Sequence, residues 1–382
     1  MQIPSKLPDV GTTIFSVMTR KALERDAINL SQGFPDIPVP SRLRSLLDEA
    51  VAAGHNQYAP LHGVEALREA IARLLDGRDG HRPDAEREIT VTSGATEALF
   101  DAIQASVAPG DEVVILDPAY DAYGPAVQLA GGSVVRMPLE AGSFRVDWRQ
   151  LAERITARTR LIIVNNPHNP SGAVFSRTDL DELAALVHDT GILILADEVY
   201  EHIVFDARPH HSVHAHPQLR ERSFVVGSFG KTFHCTGWKV GYCVAPPALT
   251  AELRKIHQYV TFATMTPAQV ALAGFMAEEP DHPAALAVMY QSKRDRFTAH
   301  LERAGFKLVP TPGTYFQLAD YSALSDLDDV DFADHLIEQT GVAAIPLSPF
   351  YERPPAGQRL LRFCFAKRDE TLDAAGERLC RI

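Results

Sequence analysis

The lysine that follows an apolar run at residues 224–226 has the clearest capacity for chemistry. This residue, Lys231, lies in the segment Ser-Phe-Gly-Lys-Thr at residues 228–232. Past the end of a buried strand, a lysine amine is partly desolvated, and desolvation favours its uncharged form. An uncharged amine can form a Schiff base with a carbonyl compound. Alone, the segment is also typical of a surface lysine in a loop, so both interpretations stay open.

The same segment also resembles the end of a nucleotide-binding P-loop, because residues 230–232 read Gly-Lys-Thr. That motif needs a further glycine five residues before its last glycine, where the phosphate-binding loop begins. Position 225 is a valine in the middle of a predicted strand. A P-loop nucleotide hydrolase is therefore a distant alternative.

A second apolar run, residues 192–196, ends directly in Asp197, and Tyr200 follows three residues later. A carboxylate at the end of a buried strand is costly unless it meets a cation or several hydrogen-bond donors. A protonated pyridine nitrogen would be such a cation, and Tyr200 could reach a neighbouring phenolate. An N-cap aspartate before a helix is an equally good interpretation of this segment alone.

Two asparagine–proline pairs, at 166–167 and 169–170, follow the apolar run 161–164. Such pairs are ordinary turn formers, and that is the plainer interpretation. Two in succession, at the ligand-binding end of a buried strand, make a rigid turn that presents the amide of Asn169 to a cleft.

Residues 92–97, Thr-Ser-Gly-Ala-Thr-Glu, connect a predicted strand to a predicted helix through small side chains. Free backbone N–H groups and the dipole at a helix N-terminus form a ready phosphate site. Small residues before a helix are also routine, so this segment alone leaves both interpretations open.

One arginine, Arg362, lies within the apolar run 360–365. An arginine in a buried strand is rarely without an anionic partner. Its partner is either a carboxylate of the protein or a carboxylate of the substrate, and the sequence does not separate the two.

Four histidines occur between Pro209 and Pro217, and histidine clusters can bind metals. No cysteine lies near them, so we predict a solvated loop and assign no metal site. These histidines are His210, His211, His214 and His216.

Short apolar or β-branched runs alternate with helix-like stretches, such as 95–107 and 177–188, between residues 89 and 246. Runs that are apolar throughout are typical of strands buried on both faces of a mostly parallel sheet covered by helices. In such an α/β domain, ligands bind beyond the carboxyl ends of the strands. The predicted strands are 89–92, 112–117, 133–139, 161–165, 192–197, 224–229 and 239–245.

The two flanks of this region have a different character. A chain of 382 residues exceeds what one hydrophobic core usually supports, so two domains are expected. Residues 1–45 are rich in proline, whereas 285–382 mix helices and strands. We predict a large domain over 46–284 and a smaller α+β domain formed by 1–45 with 285–382. The predicted elements of the C-terminal part are helices 287–303 and 331–339, strands around 314–318 and at 360–365, and a final helix.

The composition excludes several classes of protein. A formal net charge of −12 argues against a nucleic-acid or anionic-membrane partner. The four cysteines form no CxxC pair, which indicates neither a disulfide framework nor a structural zinc site. No apolar run approaches the roughly 20 residues that span a bilayer, and the N-terminus lacks the apolar core of a signal peptide. We therefore expect a cytoplasmic protein.

Taken together and in this order, these segments resemble the class I/II aminotransferases of pyridoxal-phosphate fold type I. The resemblance covers nearly the whole chain. Residues 29–36 (Asn-Leu-Ser-Gln-Gly-Phe-Pro-Asp) and 57–60 (Gln-Tyr-Ala-Pro) are similar to the branch that contains kynurenine/glutamine transaminases and bacterial methionine aminotransferases. The resemblance implies an α/β fold with a mostly parallel seven-stranded sheet, and pyridoxal 5'-phosphate as the cofactor.

The resemblance also implies a role for each residue around the cofactor ring. Lys231 forms the Schiff base and moves the proton between the substrate's α-carbon and C4′ of the cofactor. Asp197 pairs with the pyridinium nitrogen, so that the ring can accept electrons. Tyr200 and Asn169 donate hydrogen bonds to the phenolic oxygen, and Tyr120 stacks on the ring.

By the same resemblance, the cofactor phosphate is bound by Ala95, Thr96, Ser228 and Lys239, with Tyr58 reaching it from a partner subunit. This arrangement implies a homodimer with composite active sites. Many family members have arginine at the position of Lys239. Lysine binds phosphate as a point charge without the planar fork of arginine, so somewhat different geometry is expected.

The implied reaction is a ping-pong transamination between an L-amino acid and a 2-oxo acid. Arg362 binds the α-carboxylate, helped by Asn169 and the backbone of Gly33, and the expected donors are methionine, aromatic amino acids or glutamine. A carbon–sulfur β-lyase on the same cofactor is the first alternative. A non-catalytic regulator is disfavoured, because no basic DNA-binding segment is present.

Overall fold

The structure, a computed structural model, describes residues 3–382 and contains helices on both sides of a large sheet. The strands are β1 (Ile28–Asn29), β2 (Ile89–Thr92), β3 (Glu112–Asp117), β4 (Ser133–Pro138), β5 (Thr159–Asn165), β6 (Leu193–Asp197), β7 (Ser223–Ser228), β8 (Gly241–Val244), β9 (Lys307–Leu308), β10 (Phe316–Asp320), β11 (Val342–Ala343), β12 (Ile345–Pro346) and β13 (Leu360–Cys364). The helices are α1 (Ile14–Glu24), α2 (Ser41–Ala52), α3 (Glu65–Asp79), α4 (Gly94–Ser106), α5 (Tyr123–Leu129), α6 (Trp148–Ala152), α7 (Arg177–Val187), α8 (Pro217–Arg220), α9 (Phe229–Thr232), α10 (Pro247–Val260), α11 (Thr266–Glu278), α12 (His282–Arg303), α13 (Asp329–Thr340) and α14 (Asp369–Leu379).

The seven strands predicted between residues 89 and 246 all form one sheet, in the order β2-β8-β7-β6-β5-β3-β4. Neighbouring strands are parallel except for β8, which runs antiparallel to both β2 and β7. The prediction of a mostly parallel seven-stranded sheet is confirmed. Strand β8 begins later than predicted, because Lys239 has a left-handed backbone conformation with φ 54° that ends strand geometry there.

A second, four-stranded antiparallel sheet has the order β12-β13-β10-β9 and carries Arg362 in β13. Strand β1 pairs with β11, so the N-terminal segment joins the C-terminal part of the chain. One hydrophobic core cluster continues from residues such as Val114 in the large sheet to Leu361 and Phe363 in the small sheet. The division into 46–284 and 1–45 with 285–382 stays a prediction.

Helix α12 begins five residues before the predicted start at 287. Its first turn contains Pro283. Proline is tolerated in the first turn of a helix, because the N–H group that it lacks has no intrahelical partner there. None of the helices within residues 3–382 is long and apolar enough to cross a membrane.

The prediction of a solvated histidine loop is wrong. His214 and His216 are buried, and a short 3₁₀ helix at Val213–Ala215 followed by α8 packs this segment into the protein. His214 Nδ1 lies 3.0 Å from an Asp79 carboxylate oxygen, and His216 Nε2 lies 3.2 Å from an Asp181 oxygen. These carboxylates make burial of the two imidazoles tolerable, and they come from segments distant in sequence.

Candidate active site

The candidate site lies at the edge of the large sheet where the parallel strands β5, β6 and β7 end. Strand register places Asn165 at the end of β5 directly beside Asp197 at the end of β6. A cavity of about 230 Å³ opens at this edge, and nine of the predicted cofactor-binding residues line it. These are Ala95, Thr96, Tyr120, Asn169, Asp197, Tyr200, Ser228, Lys231 and Lys239.

Lys231 lies in the short helix α9, immediately after β7, and faces the cavity. Its Nζ donates a hydrogen bond to the carbonyl oxygen of Gly33 at 3.2 Å and lies 5.7 Å from the ring centres of Tyr200 and Tyr315. Burial lowers the pKa of Lys231 to about 8. The surface-loop interpretation is therefore wrong, and the site contains an amine of unusually low proton affinity.

Asp197 is only 4% exposed and lies in the same cavity. Its carboxylate accepts a hydrogen bond from the Tyr123 hydroxyl at 2.6 Å and one from the Val199 amide at 3.3 Å. Burial raises the pKa of Asp197, and no ion pair to it occurs within residues 3–382. Residues 199–202 form a turn rather than a helix, so the N-cap interpretation is wrong.

Tyr123 is a site residue that sequence reasoning missed. It begins α5, three residues after Tyr120, and the two rings make an edge-to-face contact with centroids 5.7 Å apart. Burial strongly raises the pKa of Tyr123, which keeps its hydroxyl a donor to Asp197. The spacing from Tyr120 was visible in the sequence, but nothing there linked Tyr123 to a carboxylate 74 residues away.

Tyr200 and Tyr120 both form part of the cavity wall. The Tyr200 ring makes edge-to-face contacts with Tyr315 and Phe316, at centroid distances of 5.2 and 5.8 Å. Burial raises the pKa of both tyrosines, so both hydroxyls are protonated at neutral pH. These contacts hold Tyr200 in one orientation beside Lys231.

The N-terminus of α4 forms the polar end of the cavity. The Ser93 side chain makes no capping hydrogen bond, which leaves the first N–H groups of this helix for another acceptor. Lys239 Nζ lies 3.4 Å from the Thr96 hydroxyl. At Gly241 an added Cβ would lie 2.7 Å from the Ala95 nitrogen, so glycine permits the close approach of β8 to α4. Helix dipole, hydroxyl and ammonium together suit a phosphate dianion.

A second cavity of about 780 Å³ adjoins the first and contains Arg362. Arg362 is 1% exposed, and its guanidinium donates hydrogen bonds to Asn169 Oδ1 at 2.7 Å and to the Ser31 carbonyl at 3.0 Å. The guanidinium carbon lies 3.8 Å from the centre of the Phe316 ring. Burial lowers the pKa of Arg362 to about 10.

Within residues 3–382, no carboxylate forms an ion pair with Arg362, and its Nε has no hydrogen-bond partner. The sequence left open whether the partner of Arg362 is a carboxylate of the protein or of the substrate. A carboxylate of the protein is excluded within residues 3–382. A buried guanidinium without a counter-ion, facing a cavity, is suited to bind an anionic ligand.

The backbone of Gly33 contacts Lys231 and the aromatic side chains beside it. Its carbonyl oxygen accepts hydrogen bonds from Lys231 and from the Tyr315 hydroxyl, the latter at 2.7 Å. A Cβ at this position would lie 2.7 Å from the Phe316 ring, so only glycine brings the backbone this close to the site.

Tyr58 does not lie in the cavity of its own chain. Its side chain is 85% exposed and makes an edge-to-face contact with Phe262 at a centroid distance of 5.6 Å. The structure of the single chain therefore separates Tyr58 from the other predicted phosphate-binding residues, and its role stays a prediction.

A buried cluster beside the N-terminal turn of α4 also escaped the sequence analysis. His257 Nδ1 contacts the Glu97 carboxylate at 3.0 Å, and its Nε2 contacts the Leu61 carbonyl at 2.9 Å. Both partners only accept hydrogen bonds, so both ring nitrogens donate and His257 is protonated. Glu97, Asp101 and His257 are close enough to ligate a metal ion. However, each ring nitrogen of His257 already faces a hydrogen-bond acceptor, which fits a protonated imidazole better than a metal ligand.

We expect this cluster to make stability depend on pH. Burial acts to lower the pKa of His257, but the carboxylates of Asp101 and Glu97 outweigh it and raise the pKa to about 9. A raised folded-state pKa gives stability that is complete below the unfolded value of roughly 6.5 and is lost as pH rises through 9. Urea denaturation should show the free energy of unfolding falling across this window, by up to about 1.4 kcal/mol per pH unit.

His257→Gln should lack this part of the pH dependence, whereas substitution of the exposed His55 by glutamine should retain it. If the free energy of unfolding changed equally with pH in wild type and His257→Gln between pH 6.5 and 9, His257 would be neutral in the folded protein.

The fold and this site together define an aminotransferase, and the comparison with known families agrees. Residues 25–379 match the family "Aminotransferase class I and II", and the chain belongs to that family. This membership confirms the predicted enzyme class and excludes a P-loop nucleotide hydrolase.

The similar proteins include aminotransferases of two named specificities. The chain is 54% identical to the methionine aminotransferase of Escherichia coli, over 99% of this chain and 98% of the relative. It is 35% identical to the kynurenine–oxoglutarate transaminase of Dictyostelium discoideum, over 99% and 96% of the two chains. An E. coli crystal structure, from work that identified a methionine aminotransferase function, superposes with a TM-score of 0.98 at 53% identity, over 100% of both chains. The predicted resemblance and fold type are confirmed.

Proposed function

We propose that this aminotransferase binds pyridoxal 5'-phosphate through Lys231 and takes methionine and other uncharged L-amino acids as amino donors. The proposal rests chiefly on one arrangement: the partly buried Lys231 and the buried Arg362 face adjoining cavities, and neither forms an ion pair within residues 3–382. One cation is a low-pKa amine suited to an aldehyde, and the other is a guanidinium suited to a carboxylate.

The cavity at the sheet edge has a group for each functional part of the cofactor. The amine of Lys231 suits the aldehyde, the Asp197 carboxylate suits a protonated pyridine nitrogen, and the N-terminus of α4 with Thr96 and Lys239 suits the phosphate. A pyridinium would also offset the burial that raises the pKa of Asp197. When bound, pyridoxal phosphate supplies an electron-withdrawing ring that labilises the bonds of the substrate's α-carbon.

In this proposal Arg362 binds the substrate and Lys231 transfers the proton. Arg362, held by Asn169 and stacked on Phe316, binds the substrate α-carboxylate and fixes the orientation of the α-carbon. Lys231, with its pKa near 8, can take a proton from the α-carbon and return it at neutral pH. Tyr200 would donate a hydrogen bond to the phenolic oxygen of a bound cofactor, because burial keeps its hydroxyl protonated.

The donor side chain would occupy the second cavity. Its wall includes Ile14, Phe15, Tyr120, Phe316 and Pro349, which are apolar or aromatic. A flexible thioether fits such a wall, since contacts between sulfur and aromatic rings are modestly favourable. The 54% identity to a methionine aminotransferase supports methionine as a donor.

We also propose a cytoplasmic homodimer with composite active sites. Large apolar side chains are exposed together around Tyr58 and the end of α10, and burial of such a group against a second copy is favourable. They are Tyr58, Tyr259, Val260, Phe262 and Met265. The four cysteines are free thiols, which agrees with a reducing compartment.

The absorption spectrum of the purified protein, before and after addition of single amino acids, tests this function. We expect a yellow protein whose cofactor band shifts on addition of methionine and returns on addition of a 2-oxo acid. Release of pyruvate and ammonia from cysteine conjugates, without amine transfer, would favour the β-lyase instead. A protein without a cofactor band that responds to no amino acid would contradict the proposal.

The homodimer is tested by mixing two defective chains. If Tyr58 serves the cofactor of the partner subunit, a hybrid of inactive Lys231→Ala chains and weakened Tyr58→Phe chains should regain activity. One site of each hybrid then has both intact residues. Activity of the mixture above the sum of the separate variants is the measurement, after denaturation and joint refolding. A fully active monomer in sedimentation would contradict the prediction.

A further inference from the structure

We propose that Asp121 determines donor specificity by selecting against amino acids with a second carboxylate. The inference rests on the proposed function, because it concerns the same substrate cavity. Asp121 follows Tyr120 directly and lines the 780 Å³ cavity that also contains Lys231 and Arg362. Its side chain is partly buried, so its charge is incompletely screened by solvent.

No basic side chain within residues 3–382 forms an ion pair with the carboxylate of Asp121. Burial raises the pKa of Asp121, while a backbone hydrogen bond and the charge of Arg362, which lies beyond ion-pair distance, act to lower it. A carboxylate in the cavity wall that forms no ion pair adds negative charge to the cavity. The unpaired state distinguishes Asp121 from structural carboxylates such as Asp117, whose Oδ1 accepts a hydrogen bond from Arg136 at 2.8 Å.

Both cations that line the cavity have an assigned ligand, whereas its two carboxylates have none. Its two cations are Lys231, assigned to the cofactor, and Arg362, assigned to the α-carboxylate. Its remaining charged side chains are two carboxylates, the partly buried Asp121 and the exposed Asp9. The part of the cavity left for the donor side chain therefore has anions and no cation among its lining residues.

Such a pocket should repel a glutamate or aspartate side chain and accept a neutral one. Glutamine and glutamate form the sharpest comparison, because they have nearly the same shape and differ in one charge. Their α-carboxylates feel the same field from Asp121, so the ratio of the two donors isolates the side-chain effect. A like charge at roughly 10 Å in a partly screened site disfavours binding by about tenfold.

The experiment compares wild type with the nearly isosteric Asp121→Asn. The half-reaction with each donor is followed through the cofactor spectrum, so that no acceptor enters the comparison. We expect the ratio of kcat/KM for glutamine to that for glutamate to fall about tenfold in Asp121→Asn. The ratio of methionine to glutamine, both neutral, should stay unchanged. Higher ionic strength should reduce the glutamine preference of the wild type.

Asp9→Asn is the matched control, because it removes a carboxylate from the same cavity at an exposed position and should change the ratio of glutamine to glutamate less.

Calorimetry gives a readout without turnover: glutarate should bind Asp121→Asn more tightly than wild type, and pentanoate should not. Asp121→Ser serves the same purpose if the asparagine variant does not fold. An unchanged glutamine-to-glutamate ratio in a folded, active variant overturns the inference, whereas a wild type inactive with every donor overturns the proposed function.

Discussion

Replacing Lys231 by alanine is expected to abolish transamination, with kcat/KM reduced by at least about 10⁴-fold. The substitution removes both the amine that holds the cofactor and the group that moves the proton at the substrate's α-carbon. No other amine within residues 3–382 lines the sheet-edge cavity except Lys239, which lies at the polar end beside Thr96. Steady-state assays with methionine and a 2-oxo acid measure the loss.

Chemical trapping gives the same prediction an independent readout. Borohydride reduction of the wild-type protein, followed by peptide mapping, should locate the cofactor on the peptide that contains Lys231. Lys255→Ala, which removes an exposed lysine paired with Glu252 on α10, should leave labelling and turnover unchanged. A label on another lysine, or near wild-type turnover by Lys231→Ala, would make the central assignment wrong.

Asp197→Asn is expected to retain the cofactor but to lower kcat by about 10²-fold or more. An amide cannot stabilise a protonated ring nitrogen as a carboxylate does, and loss of one such charge-assisted contact in a buried site costs a few kcal/mol of barrier. The carboxylate is almost fully buried, so solvent cannot replace it. Single-turnover rates with methionine measure the effect on the chemical step.

Tyr123→Phe is the matched control for this prediction. It removes the hydroxyl that donates to Asp197 at 2.6 Å and keeps the charge. We expect a loss of about 10-fold to 10²-fold, no larger than that of Asp197→Asn, because the charge is kept and one hydrogen bond to a charged group is worth about 1.5–3 kcal/mol. An Asp197→Asn variant with kcat within a few-fold of wild type would refute the role of Asp197.

Local sequence patterns predicted the large sheet and the strand ends where the cofactor-side residues lie, while the family resemblance implied their roles. Apolar runs bounded by polar turns predicted all seven strands of that sheet. Asp197 and Ser228 end β6 and β7, and Lys231 lies in the helix that follows β7. Because parallel strands bring their carboxyl ends to one edge, residues at those ends meet without any further information. The sequence therefore determined the edge at which these side chains lie.

The resemblance implied the roles of Arg362 and Asn169, but the contacts around them were decided only by tertiary structure. Arg362 meets Asn169 across 193 residues, and His257 meets Glu97 across 160, so no local pattern contains either pair. The unpaired state of Arg362 and the negative charge of Asp121 in the donor cavity likewise depend on which segments pack around them. Strand periodicity specifies which residues are buried, but the neighbours of a buried charge follow from strand order and helix packing, which are properties of the whole chain.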